Sequence, residues 1–179
     1  MNEFFDVLNE RAEFLNVIES RDNCHQKGLW HKAVVVFVLN YKGQVLLQKR
    51  SANKKMWPNM WDVSAGGHVL TGEFGFQAAI RESMEELGIK FLRNELDFIG
   101  LTISSSSYGD VKDNHFNEYY VAHKDVEISE LTLQADEVSD VEWIEFSDLI
   151  YKIRNHYQDL TPKKGCWDYL LRYISSNNF

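Results

Sequence analysis

The stretch from Gly67 to Ile89 constrains this chain more than any other part of its 179 residues. Glu82, Glu85 and Glu86 stand three and four positions apart, so in a helix their carboxylates share one face. Such a face repels itself unless a cation lies on it. Mg²⁺ prefers oxygen ligands of this kind, usually together with a substrate phosphate. The spacing therefore predicts a metal-binding helix that acts on a polyphosphate.

Residues around the acidic cluster support the helix and the turn before it. Glu73 and Arg81 stand eight positions apart, and we expect them to pair beside the helix and partly neutralise the cluster. Gly66 and Gly67 precede the helix and permit a tight backbone turn near a ligand. Gly88 is a natural C′ residue, so the helix is predicted to end there.

Together these residues resemble the Nudix box. The box runs Gly67, five residues, Glu73, seven residues, Arg81-Glu82, two residues, Glu85-Glu86, one residue, Gly88 and Ile89. One position departs from the family pattern, because Ser83 stands where the family prefers a bulky aliphatic residue. That position faces the core, so the departure concerns local packing rather than chemistry.

A longer stretch, residues 48–69, is similar to the region before the box in isopentenyl-diphosphate isomerase, a Nudix-fold enzyme. The isomerase has its essential cysteine where this chain has Gly66, and its box has lost several acids that are kept here. The chain thus resembles the isomerase-like branch of Nudix hydrolases. The resemblance puts four residues near the isomerase's metal ligands and acid/base: His25, His31, His68 and Glu118.

A lone histidine is more often a structural hydrogen-bonding residue than a metal ligand, so the sequence leaves the roles of His25 and His31 open. The resemblance implies an α/β fold, a Nudix-type α/β/α sandwich with a mixed central sheet. We expect a single domain over residues 1–179, in which residues 1–28 form an N-terminal extension that packs on the rest.

The resemblance also implies a reaction, the hydrolysis of a diphosphate linkage in a nucleoside diphosphate derivative or a related organic pyrophosphate. The implied cofactor is Mg²⁺ or Mn²⁺, held by Glu82, Glu85 and Glu86 with the Gly67 carbonyl in addition. The implied catalytic residues are Glu85, Glu82, Arg81 and Glu118. Either Glu85 or Glu118 is the general base, and Arg81 with Glu73 orients the cluster.

A basic loop before the box offers candidate phosphate contacts, although solvated surface charge explains it equally well. The candidate substrate-binding residues are Lys49, Arg50, Lys54, Lys55, His68 and Glu73. Two other functions stay open. One is isomerisation of an allylic diphosphate, which Gly66 disfavours, and the other is a non-catalytic nucleotide-binding module, which the intact acids disfavour.

Net charge and composition limit the classes of molecule that this protein can bind. A net charge of −8 argues against nucleic acid polymers and anionic membranes, but a bound metal ion would still admit a small diphosphate. No apolar run approaches a membrane span, and the acidic N-terminus lacks signal-peptide character. Cys24 and Cys166 match no metal spacing. We expect a cytoplasmic protein with reduced thiols, and a homodimer as the default assembly.

Several further elements follow from sequence pattern. Strands are predicted at residues 3–8, 29–40, 44–50, 61–65, 96–103, 115–124 and 138–145, with a polar loop tip at 104–113. A short helix is expected to end at Gly28. Ser147 is expected to cap a helix over 147–157, and Pro162 to open a final helix.

Overall fold

The computed structural model of the protein describes residues 3–155 and 157–177. Within those ranges the strands are β1 Phe4–Leu8, β2 Phe14–Ser20, β3 His31–Leu39, β4 Gln44–Arg50, β5 Trp61–Asp62, β6 Ala65–His68, β7 Leu96–Tyr108, β8 Val111–His123 and β9 Val138–Glu145. The α-helices in the same ranges are α1 Arg21–Lys27, α2 Gly75–Leu87, α3 Phe146–Asn155 and α4 Lys164–Ser176.

A seven-stranded mixed sheet forms the centre of the molecule. Its main path runs β5-β4-β3-β8-β7, while β6 pairs with β3 and β9 pairs with β4. Strands β3 and β8 are parallel, whereas the other pairs in this sheet are antiparallel. The strand predicted at residues 29–40 is β3, which lies between β4 and β8 and also pairs with β6.

Both faces of the sheet are covered, because alternate residues of β3 point to opposite sides. Val34 and Val36 pack in one core cluster with Ala78 of α2. Val35 packs in a second cluster with Trp167 of α4 and with residues of α3. The predicted α/β/α sandwich with a mixed central sheet is therefore confirmed.

The N-terminal segment stands outside the central sheet. Strands β1 and β2 form their own antiparallel pair, and α1 follows with Ser20 as N-cap and Gly28 as left-handed C-cap at φ 68°. The backbone N–H of Leu8 donates to the Trp30 carbonyl at 2.8 Å, which ties this segment to the rest. The helix ending at Gly28 is confirmed. Strand β2 was not predicted, because its first five residues are exposed and carry no alternating burial pattern.

Three predictions, one about a loop and two about helix starts, were wrong. Residues 104–113 are not a loop, because β7 and β8 continue as a hairpin to Tyr108 and Val111, and Gly109 turns the chain at φ 58°. Helix α3 begins at Phe146 rather than after a Ser147 cap, and α4 begins at Lys164, two residues after Pro162. The strand predicted at residues 138–145 is confirmed, and β3 forms an antiparallel hairpin with β4.

None of the helices in the described ranges has the length and the apolar character needed to cross a bilayer. The cytoplasmic location and the homodimer stay predictions.

Candidate active site

Helix α2 presents the three box glutamates to strand β6. Glu82 and Glu86 are buried, with 8% and 6% of their surface exposed, whereas the Glu85 side chain is half exposed. The helix ends at Gly88, which is left-handed at φ 73°, as predicted. Gly67 lies against the Glu82 carboxylate so closely that a Cβ at residue 67 would overlap it. A side chain at residue 67 would therefore displace the Glu82 carboxylate.

Arg81 is the centre of the polar network. Its Nε and Nη2 donate to the two carboxylate oxygens of Glu73 at 3.1 and 3.0 Å, which confirms the predicted pairing. Its Nη1 donates to Glu82 Oε1 at 2.7 Å and to Glu85 Oε2 at 3.1 Å. Nη2 also donates to the His68 carbonyl at 2.8 Å. One guanidinium thus links helix, preceding loop and strand.

Glu86 lies deeper, on the sheet side of the helix. It accepts hydrogen bonds at 3.1 Å from Gln48 Nε2 and from the Gly66 backbone N–H. Burial raises the pKa of Glu86 to about 8, and the charge of Glu82 adds to the effect. Burial likewise raises the pKa of Glu82 to about 7, although Arg81 opposes the shift.

The carboxylates at this site outnumber the cation that neutralises them. Glu73, Glu82 and Glu85 share the Arg81 guanidinium, while Glu86 is bonded to neutral donors. Burial is the main cause of the raised pKa values of Glu82 and Glu86, and repulsion from neighbouring carboxylates adds to it. Oxygen donors that lack a neutralising cation fit a hard divalent ion, which would supply that positive charge.

Glu118 lies apart from this cluster. Its carboxylate accepts from Lys32 Nζ at 3.2 Å and from the Tyr120 hydroxyl at 2.7 Å, and it presses against Gly75 at the start of α2. In the sheet Val34 pairs with Gly67 on one side and with Glu118 on the other. Two inter-strand spacings, about 10 Å, therefore separate Glu118 from the strand that touches Glu82.

The basic side chains of the loop before the box differ in what they contact. Arg50 donates to the buried Asp62 at 3.0 Å and to the Met56 carbonyl, so it ties the loop to β5. Lys54 forms an ion pair with Glu137 in the loop before β9. Lys49 lies over the Trp61 ring, 5.8 Å from its centroid.

Sequence reasoning did not predict that four histidines meet on the other side of β6. One potential ligand atom from each of His25, His31, His68 and His115 lies within 4.8 Å of the others. Burial lowers the pKa of His31 to about 4 and the pKa values of the other three as well, so all four are neutral imidazoles. The available sequence signal was the resemblance near three of them, and it lacked His115.

The NUDIX domain profile matches residues 29–164, and the chain therefore belongs to the Nudix family. An uncharacterized Nudix hydrolase of Listeria innocua is 40% identical over 142 residues, which are 79% of each chain. The isopentenyl-diphosphate Delta-isomerase of Shigella boydii is 30% identical over 134 residues, 75% of this chain and 69% of that one.

A solved structure of similar fold is that of DR0079 from Deinococcus radiodurans, with a TM-score of 0.64 and 26% identity over 86% of this chain and 90% of that one. The family, the relatives and the fold agree that the chain is a pyrophosphohydrolase-type enzyme of the isomerase-like branch.

Proposed function

We propose that this protein is a divalent-metal-dependent hydrolase that cleaves the diphosphate linkage of a nucleoside diphosphate derivative or a related organic pyrophosphate. The observation that carries the proposal is the deficit of positive charge on the acidic face of α2. Arg81 alone cannot neutralise Glu73, Glu82, Glu85 and Glu86.

Glu82, Glu85 and Glu86 are the proposed ligands of Mg²⁺ or Mn²⁺, with the Gly67 carbonyl as an additional oxygen donor. When bound, the ion supplies neutralisation of the phosphate oxygens and a lowered pKa of an attached water. A Mn ion and AMP occur in the solved structure of a bifunctional NMN adenylyltransferase/ADP ribose pyrophosphatase from Francisella tularensis. That structure has a TM-score of 0.57 and 19% identity over 81% of this chain and 41% of that one.

The chain's own residues have distinct proposed roles. Arg81, held at two points by Glu73, orients Glu82 and Glu85 for their task. Glu85 is the proposed proton acceptor for the attacking water, because half of its side chain is open to solvent. Glu118 is the weaker candidate, since Lys32 and Tyr120 already hold its carboxylate.

The basic loop is proposed to bind the phosphates of the substrate. Lys49 and Lys55 are its best candidates for direct contact, because Arg50 and Lys54 already bind carboxylates. The proposed role of Arg50 and Lys54 is to position the loop. His68 contributes its carbonyl to Arg81, so it too supports the site through the backbone.

Isomerisation of an allylic diphosphate is the second candidate, because isomerases are among the relatives. Gly66 speaks against it. A Cβ at this position would lie 2.7 Å from the Val34 carbonyl oxygen, so the strand has no room for the cysteine that the isomerase carries there. Conversion of isopentenyl diphosphate without release of phosphate would favour the isomerase.

A screen of nucleoside diphosphate derivatives, dinucleotides and isoprenoid diphosphates tests the proposal. Hydrolysis is measured with Mg²⁺ and with Mn²⁺, as phosphate released after phosphatase coupling. We expect turnover of at least one compound, dependent on the added ion. Nucleotide binding without turnover in the presence of either ion would contradict the proposal.

Glu85→Gln removes one proposed ligand and the proposed base at nearly constant volume. We expect activity to fall by about 100- to 1,000-fold, the effect of losing one preorganised transition-state contact. Glu10→Gln is the matched control, because Glu10 is exposed in the turn between β1 and β2. Full activity of the Glu85→Gln protein would refute the assignment.

A further inference from the structure

Trp57 has a backbone conformation that a bulky residue rarely adopts. It lies in the loop between β4 and β5 with φ 48°, in the left-handed region where a Cβ atom crowds the backbone. Asn59 is left-handed as well, at φ 63°, but asparagine is enriched in this region and tryptophan is not. Such strain persists only where the surrounding structure imposes it, and it clusters at functional sites.

Arg50 holds the loop in this shape through both its side chain and its backbone. Its Nε and Nη2 donate to the Met56 carbonyl, directly before Trp57, at 3.1 and 3.0 Å. The backbone N–H of Asn59 donates to the Arg50 carbonyl at 3.1 Å. The guanidinium is itself fixed, because its Nη1 donates to the buried carboxylate of Asp62 at 3.0 Å. The strained turn is therefore imposed by contacts on both sides of Trp57.

Core packing of the indole does not offset this strain. Trp61, at the other end of the same loop, packs in the core cluster of α3 and α4. Trp57 belongs to none of the core clusters of the described residues, and its side chain is only partly buried. The indole N–H groups of Trp143 and Trp167 donate to backbone carbonyls, whereas that of Trp57 has no hydrogen-bond partner in the described part of the chain. A ring that is held in place without packing in a core is free to contact a ligand.

The Trp57 ring stands near the acidic face of α2. Gln48 of β4 donates to Glu86 at 3.1 Å, and it pairs with Asp62 of β5, so these two side chains leave the sheet on the same side. Lys163 Nζ donates to Asp62 at 2.8 Å and lies 5.9 Å from the centroid of the Trp57 ring. A short chain of contacts thus connects the indole with a proposed metal ligand.

A second route fixes the same loop against α2. The backbone N–H of Ser51 donates to the Glu137 carbonyl at 2.9 Å, and the Glu137 carboxylate forms an ion pair with Lys54. The loop that contains Glu137 is tied to the helix in turn, because the N–H of Gln134 donates to the Glu86 carbonyl at 3.0 Å. The loop that carries the indole therefore has a defined position relative to the acidic face.

We propose that Trp57 determines specificity by stacking on a planar aromatic ring in the organic moiety of the substrate. The inference rests on the proposed hydrolysis of a diphosphate linkage, and it narrows the substrate to nucleoside diphosphate derivatives. A nucleotide base supplies such a ring, whereas an isoprenoid chain does not. Stacking tolerates different bases, because every base has a π-face. The indole N–H adds a hydrogen-bond donor for a polar atom of the same moiety.

The first test measures the binding of nonhydrolysable probes to the full chain in the presence of Mg²⁺. The probes are the α,β-methylene analogues of ADP and UDP, which carry a purine and a pyrimidine, and methylenediphosphonate, which carries no ring. We expect at least one nucleotide analogue to bind more tightly than methylenediphosphonate by about 5- to 150-fold, the range for stacking of one base. Equal affinity for all three probes would overturn the proposal without any variant.

Two variants separate the ring from the backbone conformation. Trp57→Asn removes the ring but adopts the left-handed conformation readily, whereas Trp57→Phe keeps an aromatic ring. We expect Trp57→Asn to lose most of the preference for the nucleotide analogues, with unchanged affinity for methylenediphosphonate, and Trp57→Phe to keep most of that preference. Tyr41→Ala is the matched control, because Tyr41 is an exposed aromatic residue in the turn between β3 and β4. Full preference in Trp57→Asn would overturn the assignment.

Fluorescence gives a readout that a purely structural role of Trp57 would not change. The chain has five tryptophans, so the difference between the wild-type protein and Trp57→Phe isolates the emission of Trp57. We expect the nucleotide analogue that binds most tightly to quench the wild-type emission and to quench that of Trp57→Phe much less. A quench of equal size in both proteins would contradict stacking on this indole.

Steady-state kinetics distinguish a failure of this inference from a failure of the proposed function. For a nucleoside diphosphate derivative that is hydrolysed, we expect Trp57→Asn to raise KM by about 5- to 150-fold with little change in kcat, because the stack is made equally in the ground state and the transition state. Binding of the nucleotide analogues without hydrolysis of any derivative would refute the proposed function and leave the role of Trp57 intact. Hydrolysis with an unchanged KM in Trp57→Asn would refute the role of Trp57 alone.

Discussion

The two faces of strand β6 carry clusters of opposite chemistry. On one face Gly67 admits the carboxylate of Glu82, and the surrounding acids have too little positive charge. On the other face His68 joins three neutral imidazoles that are shielded by an aromatic ring. One short strand therefore separates a carboxylate cluster from an imidazole cluster.

The contrast shows how differently a sequence encodes two such sites. The carboxylates lie within five residues of one helix, and the period of the helix brings them together without help from the rest of the chain. The imidazoles belong to four elements and meet only after two strand registers and a helix position are set. The first arrangement can be predicted from the sequence, and the second cannot.

The largest expected effect comes from filling the space beside Glu82. Gly67→Ala puts a methyl group where the carboxylate lies, and a shift of about 1 Å in a catalytic group lowers activity by about 100-fold. The measurement is kcat with Mg²⁺. Gly165→Ala in α4 is the control, because no atom lies within 4 Å of its new methyl group. Activity close to wild type in Gly67→Ala would mean that catalysis does not depend on the position of the Glu82 carboxylate against β6.

Asp62 can be compared with the acidic cluster, because its buried carboxylate is paired with cations. It is buried, and burial alone would raise its pKa, but Lys163 and Arg50 outweigh burial and lower it. Asp62→Asn is therefore expected to destabilise the protein by about 3 kcal/mol at pH 7. Because the folded pKa lies below the unfolded value, this loss should shrink as the pH falls below about 4. Urea unfolding at pH 7 and pH 3 measures it.

Glu86 is expected to behave in the opposite way in metal-free protein. Its folded pKa of about 8 lies above the unfolded value, so folding stability falls as the pH rises from about 4.5 to 8. Glu86→Gln removes that loss and should raise stability at pH 9 by at least about 1.4 kcal/mol, the value of one pKa unit. Unfolding with a chelator present measures the gain. A gain of the same size at pH 5 would contradict this origin.

Arg81→Lys tests whether the fixed geometry of the guanidinium matters to the acidic face. Lysine keeps the positive charge but cannot reach Glu73, Glu82 and the His68 carbonyl together. We expect hydrolysis to fall by about 10- to 100-fold, as for other residues that orient metal ligands. Wild-type activity in Arg81→Lys would show that a positive charge at residue 81 is sufficient.

The smallest expected effect concerns Glu118. Its carboxylate is held by Lys32 and Tyr120 at the start of α2, about 10 Å from the strand that touches the acidic cluster. We expect Glu118→Gln to lower kcat less than about tenfold, below the range for an essential acid or base. A loss as large as that of Glu85→Gln would make Glu118 the general base instead.

Much of the fold could be predicted where local pattern and burial agree. The strand at 138–145 and helix α2 each carry several buried apolar residues, and both formed where expected. Strand β2 and the outer halves of β7 and β8 were missed, because their residues are mostly exposed and are ordered by pairing with a neighbour. The hydrogen bond of 2.6 Å between Ser105 and Asn114 in that hairpin has no counterpart in local sequence pattern.

Ser83 shows that a departure from a family pattern can be absorbed locally. It is fully buried, and its hydroxyl donates to the Ala79 carbonyl of the preceding turn at 2.7 Å. The helix thereby satisfies a polar atom in the core.

The position of Glu118 over Gly75 has a consequence for the order of folding. Phe74 precedes α2 and has no side-chain oxygen to cap it, so the negative charge at the helix start comes from a strand that is far away in sequence. A helix of 13 residues is marginal in isolation. We therefore expect α2 to become stable only once β8 has aligned beside β3, so that the helix is consolidated late on the folding pathway although its sequence is the easiest in the chain to recognise.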